Sequence, residues 1–188
     1  MSTSIRQWLF GTPLPAAWAP LQAWCSARGL QLKPTAERDG FVIEIRHDAL
    51  HIRIEWGPSQ RHYLGSQELR LRAETGMPPE VYALVLPRGL LTRLEAELYS
   101  QFTVGTETRL DAHTPEEMRW LAMSQPLDRA HMGPLRPVFS ALSNAEEWLS
   151  NWLAGATGKA LLAWNDAATA TPDFALIGLR GRMAWRQA

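Results

Sequence analysis

The chain has 188 residues, and its 19 lysine and arginine residues balance 19 aspartate and glutamate residues, so the formal net charge is zero. A balanced chain has no electrostatic attraction toward nucleic acid or an anionic membrane, and we predict neither as a partner. No apolar run approaches the roughly 20 residues that span a membrane. Trp8-Leu9-Phe10 is too short for the core of a secretory signal. The length fits one domain, residues 1–188, and the cytoplasm is the predicted location.

The N-terminal region is predicted to be helical. A helix is expected after Pro13 and Pro15 and through about Ala27, or with its regular part starting only at Pro20. One stripe of it carries Trp18, Leu21, Trp24 and Cys25. Cys25 is the sole cysteine, which excludes an internal disulfide and suits a reducing compartment. We interpret it as a buried apolar residue rather than a nucleophile. A short amphipathic turn is expected upstream, at Ile5, Trp8 and Leu9.

Two strands joined as a hairpin are the clearest local pattern. Apolar residues occupy every second position over residues 41–46 and 50–56, and apart from Val42 the positions between them are polar, as half-buried strands require. A two-residue loop at Asp48-Ala49 joins them. This register pairs apolar residues across the strands, Ile43 with Ile54 and Ile45 with Ile52. It also pairs the opposite charges of Glu44 and Arg53.

A third strand completes a meander, with Leu69, Leu71 and Ala73 on its apolar side. The other side of the meander mixes acidic and basic side chains, namely Glu44, Arg46, His51, Arg53, Glu55, Glu68, Arg70, Arg72 and Glu74. Because the two signs nearly balance, no net field favours an anion there. We interpret this surface, the charged face, as solvated, with ion pairs that contribute about 0.5 kcal/mol each.

The middle of the chain gives helix signals and one ambiguity. Residues 81–86 are a continuous apolar run that fits a buried strand, but pattern alone does not distinguish it from a helix. A helix follows, with one leucine face at Leu90, Leu91, Leu94 and Leu98. We expect it to cover the apolar side of the meander at Ile43, Ile54 and Leu71. Residues 101–111 are expected to be extended or looped.

Further helices are predicted toward the C-terminus. Thr114-Pro115-Glu116-Glu117 predicts a helix start in which the threonine caps and the second glutamate completes a capping box. Residues 138–142 are expected to form a short helix, and Asn144 to cap another. Trp148 and Trp152 then share one helical face, four residues apart.

The C-terminus reads as a second hairpin. Arg180-Gly181 forms its turn, which places Leu176 opposite Trp185 and Ile177 opposite Ala184. The hairpin either extends the meander or forms a small second sheet. The predicted fold class is therefore α+β: an antiparallel β-meander covered by helices on one face, with a C-terminal β-hairpin.

The sequence predicts no catalytic motif, no cofactor site and no metal site. In the segment Gly155 to Lys159 two residues separate the glycines where a phosphate loop has four, and no serine or threonine follows the lysine. His47 and His51 have a metal-binding spacing for a helix, not for a strand. Loops carry function more often than strands do. The candidate ligand-contacting cluster is therefore Arg61, His62 and Tyr63, before the third strand.

Three segments carry a family resemblance, namely Glu55-Trp56-Gly57-Pro58-Ser59-Gln60, Glu68-Leu69-Arg70-Leu71-Arg72 and Thr114-Pro115-Glu116-Glu117-Met118-Arg119-Trp120-Leu121. Together they resemble a group of short bacterial proteins of unknown function, and this resemblance implies no activity. The order of a helix, a three-stranded meander and a long helix is similar in layout to secretion-chaperone-like domains. A likeness of layout transfers no functional site.

Two functional hypotheses follow. The first is a non-catalytic cytoplasmic protein that binds another protein or itself as a homodimer, because nine tryptophans suit an apolar interface and no catalytic motif is found. The alternative is a small-molecule-binding protein or enzyme with a pocket between sheet and helices, near the Arg61, His62 and Tyr63 cluster.

Overall fold

The structure of the protein, a computed structural model, describes residues 14–48, 50–104, 114–168 and 172–188. Within these residues eight strands form one antiparallel sheet in the order β1-β2-β3-β4-β8-β7-β5-β6. The strands are β1 (Leu32–Pro34), β2 (Phe41–His47), β3 (Leu50–Pro58), β4 (Gln67–Glu74), β5 (Ala83–Pro87), β6 (Phe139–Ser143), β7 (Phe174–Leu179) and β8 (Arg182–Gln187). The helices are α1 (Ala19–Ser26), α2 (Arg88–Val104), α3 (Glu116–Met123), α4 (Arg129–Met132), α5 (Glu146–Ala154) and α6 (Ala156–Ala167). The α+β class is confirmed.

The central hairpin has the register that alternation predicts. Ile43 pairs with Ile54, Glu44 with Arg53, and Ile45 with Ile52. Asp48 begins the loop with φ of 51°, in the left-handed region that a tight hairpin turn uses. The third strand, β4, then adds to β3 as expected. Local alternation and loop length were sufficient to predict these three strands.

The C-terminal hairpin is confirmed and lies inside the main sheet. Leu176 pairs with Trp185, and the turn residues Arg180 and Gly181 both have positive φ. Strand β8 pairs with β4, while β7 pairs with β5. The hairpin therefore joins the meander to β5 and β6, which decides between the two arrangements left open by the sequence.

Strand β5 is buried on both faces, which explains its unbroken apolar run. Ala83 and Val85 belong to one core cluster, while Leu84 and Leu86 belong to another. Since successive side chains of a strand point to opposite faces, the two clusters lie on opposite sides of the sheet. Helices α5 and α6 pack on the first side, and α2 and α3 on the second. The run at residues 81–86 is thus mainly a strand.

The expected cover of the meander by the leucine helix is wrong. The leucines of α2 pack with Leu84, Leu86 and Ile177, on the face opposite to Ile43. Helix α1 covers Ile43 instead, through Cys25, which is 1% exposed. The leucine pattern predicts that one face of α2 is buried, but it does not predict which part of the sheet that face contacts. Because α2 begins directly after β5, it packs beside β5 rather than on the meander.

Three local predictions near the second half of the chain are also wrong. The helix predicted over residues 138–142 is absent, since Phe139–Ser143 form strand β6. Helix α3 begins at Glu116 with Pro115 at the capping position, so Thr114 does not cap it. Asn144 precedes the cap Ala145 and instead bonds the segment before β5, accepting from the backbone N–H of Tyr82. At Asn144 a tertiary hydrogen bond replaces the predicted helix cap.

Other helical predictions have mixed outcomes. Trp148 and Trp152 stack at 5.7 Å between ring centroids, as their spacing predicts. Helix α2 extends to Val104, which corrects the expected start of a loop at residue 101. The rest of that predicted loop, and the turn at Ile5, Trp8 and Leu9, lie outside the described residues. No helix among the described residues is long and apolar enough to cross a membrane.

The helices within the described residues cover the apolar side of the meander only in part. Helix α1 packs at the β1–β3 end, and α5 and α6 pack at the β7–β6 end. Between them lie side chains that belong to neither cluster and are half-buried, namely Ile52, Leu69, Leu71 and Ala73, which we call the apolar strip. Leu50, the first residue of β3 and on the same side of the sheet, is 45% exposed. This part of the sheet presents an apolar surface.

Candidate functional site

The charged face is not simply a solvated surface, which corrects the sequence interpretation. Glu68 is fully buried, and Glu55, Arg70 and Arg186 are each less than a tenth exposed. Glu68 Oε1 accepts from Arg70 Nη1 and from Arg186 Nη1, each at 2.8 Å. Arg186 reaches this position because β8 pairs with β4, which sets Arg186 beside Arg70. Buried ion pairs of this kind differ from surface pairs in energy and in consequence.

Glu55 holds the other side of this network. Its carboxylate accepts from Arg53 Nε at 2.8 Å and from Arg70 Nε at 3.2 Å, and Arg72 lies 3.5 Å away. Burial raises the pKa of Glu55, but the hydrogen bond from Arg53 and the charges of Arg72, Arg53 and Arg70 outweigh it, so the pKa is lowered overall. Glu55 is therefore held as a carboxylate that compensates several arginines at once.

The segment between β3 and β4 folds over the charged face and helps to bury it. Ser59 Oγ donates to Glu68 Oε2 at 3.3 Å, and Gln60 Oε1 accepts from Arg186 Nη1 at 3.4 Å. Leu64, in the short 3₁₀ turn His62–Leu64, is fully buried. The loop chosen from the sequence as a candidate site is thus packed onto the sheet.

Arg61 and Tyr63 meet on one buried carboxylate, that of Glu117 in the first turn of α3. Arg61 Nε and Nη2 donate to the two carboxylate oxygens, and Tyr63 Oη donates to Glu117 Oε1 at 2.7 Å. Burial lowers the pKa of Arg61, but its bond to Glu117 outweighs this and raises it overall. Burial and then the charge of Glu117 raise the pKa of Tyr63. These hydrogen bonds anchor the loop to helix α3.

His62 does not join this cluster. Its side chain is about half exposed, and its Nε2 lies 2.9 Å from Glu97 Oε1 on α2. The three neighbouring residues predicted as one cluster therefore divide: Arg61 and Tyr63 contact α3, while His62 contacts α2. Adjacent residues in a tight turn point in different directions, which proximity in sequence does not reveal.

A cavity of about 310 Å³ lies between α3 and the sheet, beside this anchor. Its floor is apolar, formed by Trp120, Ile177, Leu179 and Ala184. Its charged lining consists of Arg61, Arg72, Arg182, Arg186, Glu116 and Glu117. We call it the arginine cavity, because four guanidinium groups and two carboxylates line it. Small-molecule sites are usually concave and have volumes of about 300 Å³ or more, so this cavity is near the lower limit, and its six charged lining residues are more than such sites usually have.

Four arginines and two glutamates line the arginine cavity, and each arginine also has a carboxylate partner: Glu117 for Arg61, Glu68 for Arg186, Glu55 for Arg72 and Glu74 for Arg182. Glu117 is already bonded by Arg61 and Tyr63. Burial and then the charge of Arg61 lower the pKa of Arg186, so these two cations repel each other at the cavity wall. An anion placed between the guanidinium groups would be favoured by both charge and hydrogen bonding.

The sequence missed most of the cavity. Arg61 was proposed from the loop, but Arg186, Arg182 and Glu117 were not. The alternation of Arg182, Ala184 and Arg186 on β8 could have assigned them to the charged face, had the pairing of β8 with β4 been known. Among the described residues, no group of three or more histidine, cysteine, aspartate or glutamate side chains is placed to hold a metal ion.

No protein-family model, no curated protein and no solved structure matches this chain significantly. The resemblances noted from the sequence stay predictions.

Proposed function

We propose that the protein binds a small organic carboxylate with an apolar body in the arginine cavity. The observation that supports this best is the convergence of four arginines above an apolar floor in one concave site. Guanidinium groups bind carboxylates through paired, charge-assisted hydrogen bonds. The apolar floor accounts for the rest of the ligand, which gains from leaving water.

A carboxylate fits this cavity better than a polyphosphate does. Glu116 and Glu117 also line the cavity, and their charges repel a ligand with several negative charges. The volume of about 310 Å³ also favours a compact ligand over a nucleotide. The role proposed is binding, and Glu117, the most buried carboxylate of the lining, already serves as a structural anchor.

The test uses 3-phenylpropanoate as probe and isothermal titration calorimetry as the measurement. Arg182→Gln is expected to weaken binding by about tenfold, because a hydrogen bond to a charged group contributes roughly 1.5 kcal/mol or more. The fold should be unaffected, since Arg182 pairs with Glu74 at 3.3 Å in an exposed salt bridge. Arg46→Gln is the control, an exposed arginine of the charged face outside the cavity lining.

The uncharged analogue 3-phenylpropan-1-ol is expected to bind far more weakly than 3-phenylpropanoate. Equal binding of the two compounds, no binding of either, or an equal loss in Arg46→Gln and Arg182→Gln would each contradict the proposal. Inorganic phosphate, titrated alone into the protein, is expected to bind more weakly than 3-phenylpropanoate. Stronger binding by phosphate than by the carboxylate would also overturn it.

Self-association through the apolar strip is the second candidate function. The strip carries no charged side chain, so two copies related by a two-fold axis can bring it together without like-charge contacts. Light scattering after size exclusion is expected to show a homodimer that Leu71→Lys converts to a monomer. Glu74→Lys, which places the same side chain on the opposite face of β4, should leave the dimer intact. A strict monomer in the unmodified protein would exclude this candidate.

The cytoplasm remains the proposed location. Its support is the chemistry of Cys25, a free and buried thiol, since a reducing compartment keeps cysteines in that state.

A further inference from the structure

We infer that the ligand of the arginine cavity is a free α-amino acid with an apolar side chain. This inference rests on the proposed function and names its ligand class. It follows from the placement of the two charge signs in the lining, where the arginines Arg72, Arg182 and Arg186 come from the sheet and Glu116 comes from α3. A zwitterionic amino acid carries an ammonium group and a carboxylate group on the same carbon atom. The cavity offers Glu116 to the ammonium group and the arginines to the carboxylate.

Glu116 differs from Glu117 in having capacity for another donor. Among the described residues its partner is Arg180, whose Nη2 lies 3.4 Å from Glu116 Oε1. Both side chains of this pair are well exposed, at 77% and 46%, so the pair is weak and easily exchanged. Glu117, in contrast, accepts three hydrogen bonds and is buried. An ammonium group entering the cavity therefore binds Glu116.

The arginines of the sheet wall supply the carboxylate site. Arg72 and Arg182 are held by single, longer contacts of 3.5 Å to Glu55 and 3.3 Å to Glu74, so their guanidinium groups retain unused donors. Their side chains are partly exposed at the cavity, at 42% and 69%. Both reach the same cavity because the register sets Arg72 opposite Ala184, with Arg182 two residues before it on the same face of β8.

The floor selects the side chain of the ligand. Trp120 and Ile177 are each 8% exposed, and Trp120 is fixed by stacking on Tyr82 with 4.6 Å between ring centroids. The aliphatic side chains of the floor, Ile177, Leu179 and Ala184, carry no hydrogen-bonding group. A charged or amide side chain would lose its water there without a partner, so apolar and aromatic side chains are favoured.

The test compares phenylalanine with 3-phenylpropanoate, which differs by the missing ammonium group alone. Phenylalanine is expected to bind about tenfold tighter, as a hydrogen bond between charged groups predicts. Glu116→Gln is expected to abolish this difference while leaving the affinity for 3-phenylpropanoate unchanged or slightly higher. Glu146→Gln is the matched control, because Glu146 also lies in the first turn of a helix, α5, and does not line the cavity.

Two further compounds distinguish a free amino acid from the C-terminus of a polypeptide as the ligand. Phenylalanine amide lacks the carboxylate and is expected to bind weakly. N-acetylphenylalanine imitates the C-terminus of a polypeptide and is expected to bind no better than 3-phenylpropanoate. Tighter binding of N-acetylphenylalanine than of phenylalanine would overturn the inference in favour of a polypeptide C-terminus.

The failure of this inference is distinguishable from the failure of the proposed function. If 3-phenylpropanoate binds in an Arg182-dependent manner but phenylalanine binds no tighter, the carboxylate function stands and the amino-acid class is wrong. If Glu116→Gln weakens both ligands equally, Glu116 acts on the structure of the site and the inference is also wrong. If neither ligand binds, both proposals are overturned.

Discussion

Glu68→Gln is expected to lower the free energy of unfolding by about 3–5 kcal/mol, because it removes one partner of a buried ion network. Glu68 is fully buried, and one of its oxygens accepts from both Arg70 and Arg186. Glutamine keeps the shape but loses the charge. Arg70 retains Glu55 as a partner, whereas Arg186 keeps only the neutral Gln60 as its other hydrogen-bond partner among the described residues.

Urea unfolding followed by tryptophan fluorescence measures this effect. Glu74→Gln is the matched control, a glutamate on the same face of the same strand that pairs with Arg182 at the exposed surface. It is expected to change stability by less than about 1 kcal/mol. Glu68→Gln combined with Arg186→Gln should recover part of the loss, since the uncompensated cation is removed. Equal effects of Glu68→Gln and Glu74→Gln would show that burial does not govern this network.

Gly158→Ala is expected to destabilise the protein by about 3 kcal/mol, through overpacking. A Cβ atom at Gly158 would lie 1.8 Å from the backbone oxygen of Leu153 and 3.3 Å from Leu135 Cδ1. The backbone oxygen belongs to the last turn of α5, so it cannot move aside as a side chain can. The close approach of α5 and α6 therefore depends on the missing side chain.

Helix propensity alone predicts the opposite sign at this position. Alanine inside a helix is about 1 kcal/mol more favourable than glycine, and Gly158 lies within α6. Gly89→Ala in α2 is the control, because nothing lies within 4 Å of a Cβ placed there. That substitution is expected to be neutral or to stabilise by up to about 1 kcal/mol. A stabilised Gly158→Ala variant would show that α5 and α6 can separate without cost.

The sequence predicted the two hairpins correctly because their information is local. Alternation assigns each residue to a face, and a short loop then leaves one register that matches the faces. The pairing of Glu44 with Arg53 and that of Leu176 with Trp185 both follow from this reasoning. The assignment of residues 138–142 to a helix was wrong because a short apolar run carries no such information.

The candidate site was predicted in part. Arg61 does line the cavity, but its anchor Glu117 is 56 residues away in the chain, and Gln60 and Arg186 are 126 residues apart. No spacing rule joins residues at such separations. Their meeting depends on the pairing of β8 with β4 and on the packing of α3 against the sheet.

The sequence by itself determined the β2–β3 and β7–β8 hairpins with their registers, the third strand β4 and the α+β class, because alternation and turn residues act over a few positions. Tertiary structure alone decided which face of the sheet α2 covers, where the C-terminal hairpin inserts, and that part of the charged face is buried. The physical reason is that burial is a property of what packs against a residue. Glu74 and Glu68 are the same residue type on the same face of β4. Glu74 forms a weak, exposed salt bridge, whereas Glu68 is the centre of a buried network.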